Sequence, residues 1–389
     1  MLASTARSER IYGEFQSELT LCCAICSAPV DDVHRILEGN TRRIQWPSLL
    51  ELARKHRLDV PLYLALRSQS TDLVPSSILE LLHDSYVENS GFCQDLTKEL
   101  LRLLDVFRRE QIPAIPFKGP IHSAQLYGDV LHRRCGDLDV LILESDVSRC
   151  AELMRAEGYR PKLRFNWEWS FQRGRVEAVD LHWAVMEKLH QFPFTAQQLW
   201  DRRETITVNG LTVPVLSTED VLLALCFNGM KEGWTRCDRL RDVAALMRGN
   251  TQIDWRRFLA QCRLWGCERI VMVTMYLANE LFLADLPGVM HTASLSHRKA
   301  MRMAAKVRDA VLNRERSSVM DYWMSFAHLR ERLWERIPYY QDFAYSTFEP
   351  KKDEPEWRQT VRRGLHRSVR LPLIAVKRGL SALGHTGIK

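Results

Sequence analysis

Two aspartates, Asp137 and Asp139, stand two residues apart in Asp137-Leu-Asp-Val-Leu-Ile-Leu143, whose apolar filling predicts a β-strand. Side chains alternate along a strand, so both carboxylates point to one face while Leu138, Val140 and Ile142 point to the other. Two anions projecting together repel unless cations neutralise them. A hard ion such as Mg²⁺ suits them because it also takes phosphate oxygens as ligands. On spacing alone an isolated Asp-x-Asp reads better as a solvated strand edge, so the neighbouring residues decide. Upstream, Lys118-Gly119-Pro120 marks a strand-to-helix turn. Its glycine permits close approach to a phosphate, the helix start offers free N–H donors, and the lysine adds a point charge. Arg133 and Arg134 directly precede the carboxylates, and arginine suits bidentate phosphate contact.

A third carboxylate follows in the strand expected over Val176–Trp183, where Ala178, Asp180 and His182 share one face and Val179, Leu181 and Trp183 the other. If this strand lies beside the first, Asp180 completes a three-carboxylate cluster. Such a cluster can hold two ions roughly 3.5–4 Å apart, one lowering the pKa of an attacking hydroxyl and one neutralising a leaving pyrophosphate. Asp180 is then the local base candidate. His182 is read as structural, the commoner role of a strand histidine.

The elements that must position these residues change character along the chain. Apolar residues at helical spacing fill the first hundred residues, including Leu49–Ala53, Leu62–Leu66 and a long stripe from Ile78 to Phe107. From Ile112 the pattern becomes strand (Ile112–Phe117), helix (Lys118–Tyr127), strand (Asp137–Leu143) and helix (Asp146–Glu157, closed by Gly158). Strands near Arg160–Phe165, Trp169–Arg173 and Val176–Trp183 follow, then a hairpin around Asn209-Gly210. Ser217 and Asp220 fit the opening cap of a helix reaching Cys226. Further helices are expected at Cys237–Met247, Trp255–Leu264, Glu268–Leu283, His297–Leu312 and Ser317–Leu333. The expected class is α+β: a small mixed-sheet core over 111–216, a helical lead-in over 1–110, a helical domain over 217–350 and a basic tail helix over 351–389.

With 389 residues, 46% hydrophobic and 26% charged, the chain is long enough for two or three folded units. A formal charge of +7 favours anionic partners without demanding nucleic acid. No apolar run is long enough to span a bilayer, and Leu19–Cys26 is preceded by Glu14 and Glu18 where a signal peptide carries cations; a cytoplasmic protein is expected. Cys23 and Cys26 form a CxxC without a second pair at zinc-ribbon spacing, so the ten cysteines are read as structural thiols.

The ordered set Phe117-Lys-Gly119, Tyr127, Arg133, Asp137-Leu-Asp139 and Val179-Asp-Leu-His-Trp183 resembles the bacterial nucleotidyltransferase-like family of the DNA polymerase β superfamily. Leu50-Glu-Leu-Ala-Arg-Lys-His-Arg57 resembles the helical flank of that family, and the similarity runs from about Trp46 to Met247. The resemblance implies Asp137, Asp139 and Asp180 as catalytic metal carboxylates, with Lys118, Gly119, Arg133 and Arg134 near the triphosphate. It implies transfer of a nucleoside monophosphate from an NTP, such as ATP, to a hydroxyl acceptor, with Mg²⁺ or alternatively Mn²⁺ as cofactor. In place of the subfamily's HGxxH helix the chain has Asn228-Gly-Met-Lys-Glu232. A catalytically inactive nucleotide- or partner-binding module, or an enzyme acting on RNA ends, are the competing expectations.

Other features have plainer readings. Asp238 and Asp242, four apart on a helix with Arg239 and Arg241 nearby, suggest structural ion pairs. Trp167 and Trp169 could stack on a base, whereas Trp183 is read as packing. The tail Lys351–Leu380 holds nine Lys or Arg against three acids and is read as a kinked helix with a solvated cationic face.

Overall fold

A computed structural model describes residues 17–70, 72–174, 177–249, 253–291, 295–312, 327–332 and 335–340. The basic tail and most of the helix expected over Ser317–Leu333 lie outside the described residues, as does Val176 at the start of its strand.

Helices α1 (Glu18–Ile25), α2 (Val30–Asn40), α3 (Trp46–Lys55) and α4 (Asp59–Leu66) lead into α5 (Ser76–Arg109). Ser17 caps α1, accepting from Thr20 N, and six of that helix's eight residues are buried. The segment Leu19–Cys26 is therefore core. Helix α5 serves two interiors. Ile78 and Leu82 in its first half join a large helical core, while Leu96, Leu100, Leu103 and Phe107, spaced four, three and four apart, cover one face of the sheet.

The sheet comprises β1 (Ala114–Pro116), β2 (Leu138–Ile142), β3 (Arg160–Arg164), β4 (Glu168–Arg173) and β5 (Glu177–His182) in the order β1-β2-β5-β4-β3. Strand β2 runs antiparallel to β1 and parallel to β5, and β5, β4 and β3 are successively antiparallel. Helix α6 (Gly119–Tyr127) follows β1, and α7 (Val147–Ala156) follows β2. Every residue of β2 is buried, as expected for a strand covered on both faces. Leu138, Val140 and Ile142 face α5 and α7 together with Val179, Leu181 and Phe171. Leu141 has the opposite parity and joins the helical core with Ile115 and Phe117. Asp139 shares the parity of Leu141, so it points toward the helices.

After the short helix α8 (Ala196–Asp201), β6 (Glu204–Val208) and β7 (Leu211–Val215) form a separate two-stranded sheet. Asn209 and Gly210 connect them, both with positive φ, as a two-residue hairpin turn with right-handed twist requires. Helices α9 (Thr218–Lys231), α10 (Asp238–Arg248), α11 (Trp255–Leu264), α12 (Glu268–Phe282) and α13 (Leu295–Leu312) follow. Ser217 caps α9 through Asp220 N, and the helix runs past Cys226 to Lys231. Residues of α1–α4 and α9–α12 share one continuous apolar cluster. All ten cysteines are free thiols, nine of them buried and Cys135 half-buried. Among the described residues no helix is long and apolar enough to cross a membrane.

Candidate active site

The β2–β5 pairing determines the centre of the site. In that parallel register Asp139 lies directly opposite Asp180, and Leu141 opposite His182. Parallel partners share a face, so Asp139, Asp180 and His182 converge. One ligand-capable atom from each lies within 4.8 Å of the other two, a grouping that could hold a metal ion. Asp139 and His182 are buried and Asp180 is half-buried. Asp137 falls one residue ahead of β2, exposed at the mouth of a cleft and outside that three-residue group.

Asp139 Oδ1 is engaged twice. Lys118 Nζ donates to it at 2.6 Å and His182 Nε2 approaches at 2.8 Å. Burial would push the Asp139 carboxyl up, but the Lys118 charge and the His182 hydrogen bond overcome it and hold the group well below the usual carboxylate range. Asp137 moves the other way. Desolvation by the cleft walls, then the neighbouring charge of Asp139, push it up to about 6 against the pull of Lys118. Among the described residues neither Asp137 nor Asp180 has a hydrogen-bond or ion-pair partner. His182 lies between two carboxylates, its Nδ1 3.5 Å from Glu168 Oε2 without a hydrogen bond, and its ring meets Phe117 edge-on. Read from sequence as structural, it hydrogen-bonds Asp139 and also falls in the group that could hold a metal.

The turn before α6 is built around Gly119, whose φ is +65°. A Cβ there would come within 2.9 Å of the Asp137 carbonyl oxygen. Both the backbone conformation and the close approach demand glycine, and they lock the turn against the start of β2. Lys118 occupies the N-cap position in an extended conformation with no side-chain cap, leaving the first N–H groups of α6 without one.

A small cleft of about 90 Å³, open to solvent, spreads from Asp137 and Asp139 along this turn. Lys118, Gly119, Arg133 and Arg134 all line it, as do His122, Arg57, Asn228, Arg236 and Arg239. Arg133 is tied at 2.7 Å to the buried Asp242, which also accepts from Tyr127 Oη at 2.8 Å. Arg134 is tied at 2.8 Å to the buried Asp59. The ion pairs of Asp238 and Asp242 thus run to Arg236 (3.6 Å) and Arg133, while Arg241 donates to the carbonyls of Cys26 and His132. Neither ring nitrogen of buried His122 has a hydrogen bond, and burial with the adjacent Arg133 pushes its pKa well down, so the ring is neutral.

The altered Asn228–Glu232 segment keeps a place here. Asn228 faces the cleft, and Gly229 lets Trp234 pack where a Cβ would lie 2.5 Å from its Nε1. Glu232 pairs with both Arg236 and Arg239. Trp183 is half-buried, packed against the sheet core, and donates to the Asn166 carbonyl at 2.9 Å. Sequence reasoning gave no role to His122 or Arg236 and read Arg239 only as a partner in structural ion pairs; Arg239 pairs instead with Glu232, and all three line the cleft. Arg57 had a faint signal, at the end of the helical flank that carried part of the resemblance.

Paired strand carboxylates thus lie beside a cationic glycine turn on a mixed sheet. A family model described as an uncharacterised nucleotidyltransferase matches residues 42–283, and the chain belongs to that family. The match supports a general role in nucleotidyl transfer and spans the sheet together with the helices on either side. No curated protein and no solved structure gives a significant match.

Proposed function

We propose that the protein transfers a nucleoside monophosphate from a nucleoside triphosphate to a hydroxyl acceptor. The observation that carries this is the register of β2 against β5, which sets Asp139 opposite Asp180 beside the Lys118-Gly119 turn. The donor set fits a divalent cation: two carboxylates and an imidazole converge, and Asp180 and nearby Asp137 lack any compensating partner among the described residues. Asp137, Asp139 and Asp180 would hold Mg²⁺ or Mn²⁺, with His182 bracing Asp139. When bound, the metal supplies Lewis-acid activation of the hydroxyl and charge neutralisation at the departing pyrophosphate. The chain's own groups do the remainder. Lys118 and the uncapped N-terminus of α6 receive phosphate oxygens, and Gly119 allows their close approach. Arg133 and Arg134, braced by buried aspartates, form the cationic wall. Asp180, half-buried and unpartnered, accepts the proton of the acceptor hydroxyl.

The test is pyrophosphate release from each NTP with candidate hydroxyl acceptors in Mg²⁺ or Mn²⁺. Release should cease on chelation of the metal and in Asp139→Ala and Asp180→Ala. Turnover that survives both substitutions would eliminate the mechanism. The double engagement of Asp139 Oδ1 favours one second reading, a nucleotide-binding module without catalysis. That reading predicts NTP binding with no pyrophosphate release under any metal.

A further inference from the structure

The cleft's cations differ in one respect. Lys118, Arg133, Arg134, Arg236 and Arg239 each have a carboxylate partner within 4.0 Å, respectively Asp139, Asp242, Asp59, Glu232 and Glu232. Arg57 has none among the described residues. It is half-buried, and its strongest charged neighbour is another cation, Arg236, with Arg134 also repelling it. Asp238 and Asp137 attract it only from beyond ion-pair distance. A partly desolvated guanidinium facing like charges is an uncompensated cost unless an anion joins it.

The backbone repeats the message. Arg57 follows α3 with φ +56°, in the left-handed position that closes a helix, where Leu58 N reaches back to Ala53 O at 2.7 Å. Glycine is the usual residue there, and a bulky side chain adds strain. The side chain lines the cleft shared with Lys118, Gly119 and Asp137. An anion meeting Arg57 in that cleft must also suit the uncapped start of α6 and stop beside carboxylates that favour a metal. A chain of phosphates does all three.

We infer that Arg57, supplied by the N-terminal helices and not by the sheet, is a binding residue that grips the distal phosphates of the nucleoside triphosphate. This rests on the nucleotide reading above and adds to it: the triphosphate tail is held between the sheet and the N-terminal helical region. Selectivity for triphosphate over monophosphate is the expected consequence, because only the longer chain carries phosphates beyond the one seated at the carboxylates.

Calorimetric titration of the full chain with ATP, ADP and AMP in Mg²⁺ tests this, comparing wild type with Arg57→Gly and Arg57→Gln. Glycine relieves the left-handed backbone, so the melting temperature of Arg57→Gly should equal or exceed that of wild type. ATP affinity should nevertheless fall roughly 10- to 100-fold, the loss of one charge-assisted contact, while AMP affinity stays within about twofold. Arg57→Gln should lose ATP affinity similarly, showing that charge and not backbone is responsible. Unchanged ATP affinity in both variants would overturn the role of Arg57 while leaving the nucleotide reading intact. An equal loss for AMP would overturn it too, by moving the contact off the distal phosphates. A wild-type chain that binds none of the three would refute the nucleotide reading itself, and Arg57 with it.

Discussion

Replacing Gly119 by alanine puts the geometry of the phosphate turn to a quantitative test. The substitution adds one methyl group to a residue with φ +65°, where a non-glycine residue costs roughly 1–2 kcal/mol. The new Cβ would also meet the Asp137 carbonyl oxygen at 2.9 Å, a backbone atom with no rotamer in which to retreat. Either the turn or the start of β2 must move, adding roughly 1–3 kcal/mol of packing strain. Gly128, at the other end of α6, is the control. It has φ +75°, but nothing lies within 4 Å of its would-be Cβ, so Gly128→Ala carries the backbone cost alone. Urea denaturation should therefore show Gly119→Ala less stable than Gly128→Ala by about 1–3 kcal/mol. Displacing the Asp137 peptide should also weaken Mn²⁺ binding about tenfold in Gly119→Ala, as expected when a ligand's support shifts. Equal destabilisation of the two variants with equal metal affinity would refute the claim that this glycine fixes the carboxylates.

Other substitutions probe the frame around the site. Asp242→Ala removes the buried partner of half-buried Arg133 and should cost roughly 3–5 kcal/mol in chemical denaturation; a loss below about 1 kcal/mol would mean the pair is effectively solvated. His190 is buried, and desolvation with nearby Lys231 and Arg330 pushes its pKa down to about 4. The unfolded ring takes a proton near pH 6.5 and the folded one does not, so stability should fall by roughly 3 kcal/mol as pH drops from about 6.5 to 4. His190→Gln should flatten that limb of the urea midpoint against pH, and an unchanged slope would count against this origin. Gly266→Ala places a Cβ 2.5 Å from Glu335 Oε1 at φ +68°, so it should lower the melting temperature and break the Glu335–Arg330 pair; an unaltered melt would mean that contact is loose.

Local pattern carried much of the architecture. The Asn209-Gly210 turn, the Ser217 cap and the helix Trp255–Leu264 appear as their residues predict, because each depends on neighbours in sequence. Alternation also foretold that Asp139 and Asp180 would share parity with each other and with His182. It could not foretell their partners. Lys118 reaches Asp139 because a glycine turn folds it over the start of β2, and Arg133 chooses Asp242 across more than a hundred residues instead of an acid on its own segment. Nor does spacing tell that helices from both ends of the chain would share one apolar interior. That pairing carries Arg57, Arg236 and Arg239 to a cleft that none of their local sequences announces.

Charge placement explains why the three aspartates are not interchangeable. Asp139 is deepest, yet two donors on one oxygen keep it ionised, making it a fixed anion that is already partly neutralised. Asp137 receives no hydrogen bond, and desolvation together with the charge next door raises its pKa despite the pull of Lys118. Asp180 is equally unpartnered among the described residues. A protein needing only stability could have turned a nearby arginine toward them. Here Arg133 and Arg134 are turned away, each clamped by an aspartate buried elsewhere. Their charge remains in the cleft wall, but their strongest bonds are spent holding the wall in place. What remains is negative charge at the sheet beside positive charge on the surrounding turns and loops, with space between. On the reading proposed above, a cation answers the first and a phosphate chain the second, and a metal-bound triphosphate carries both.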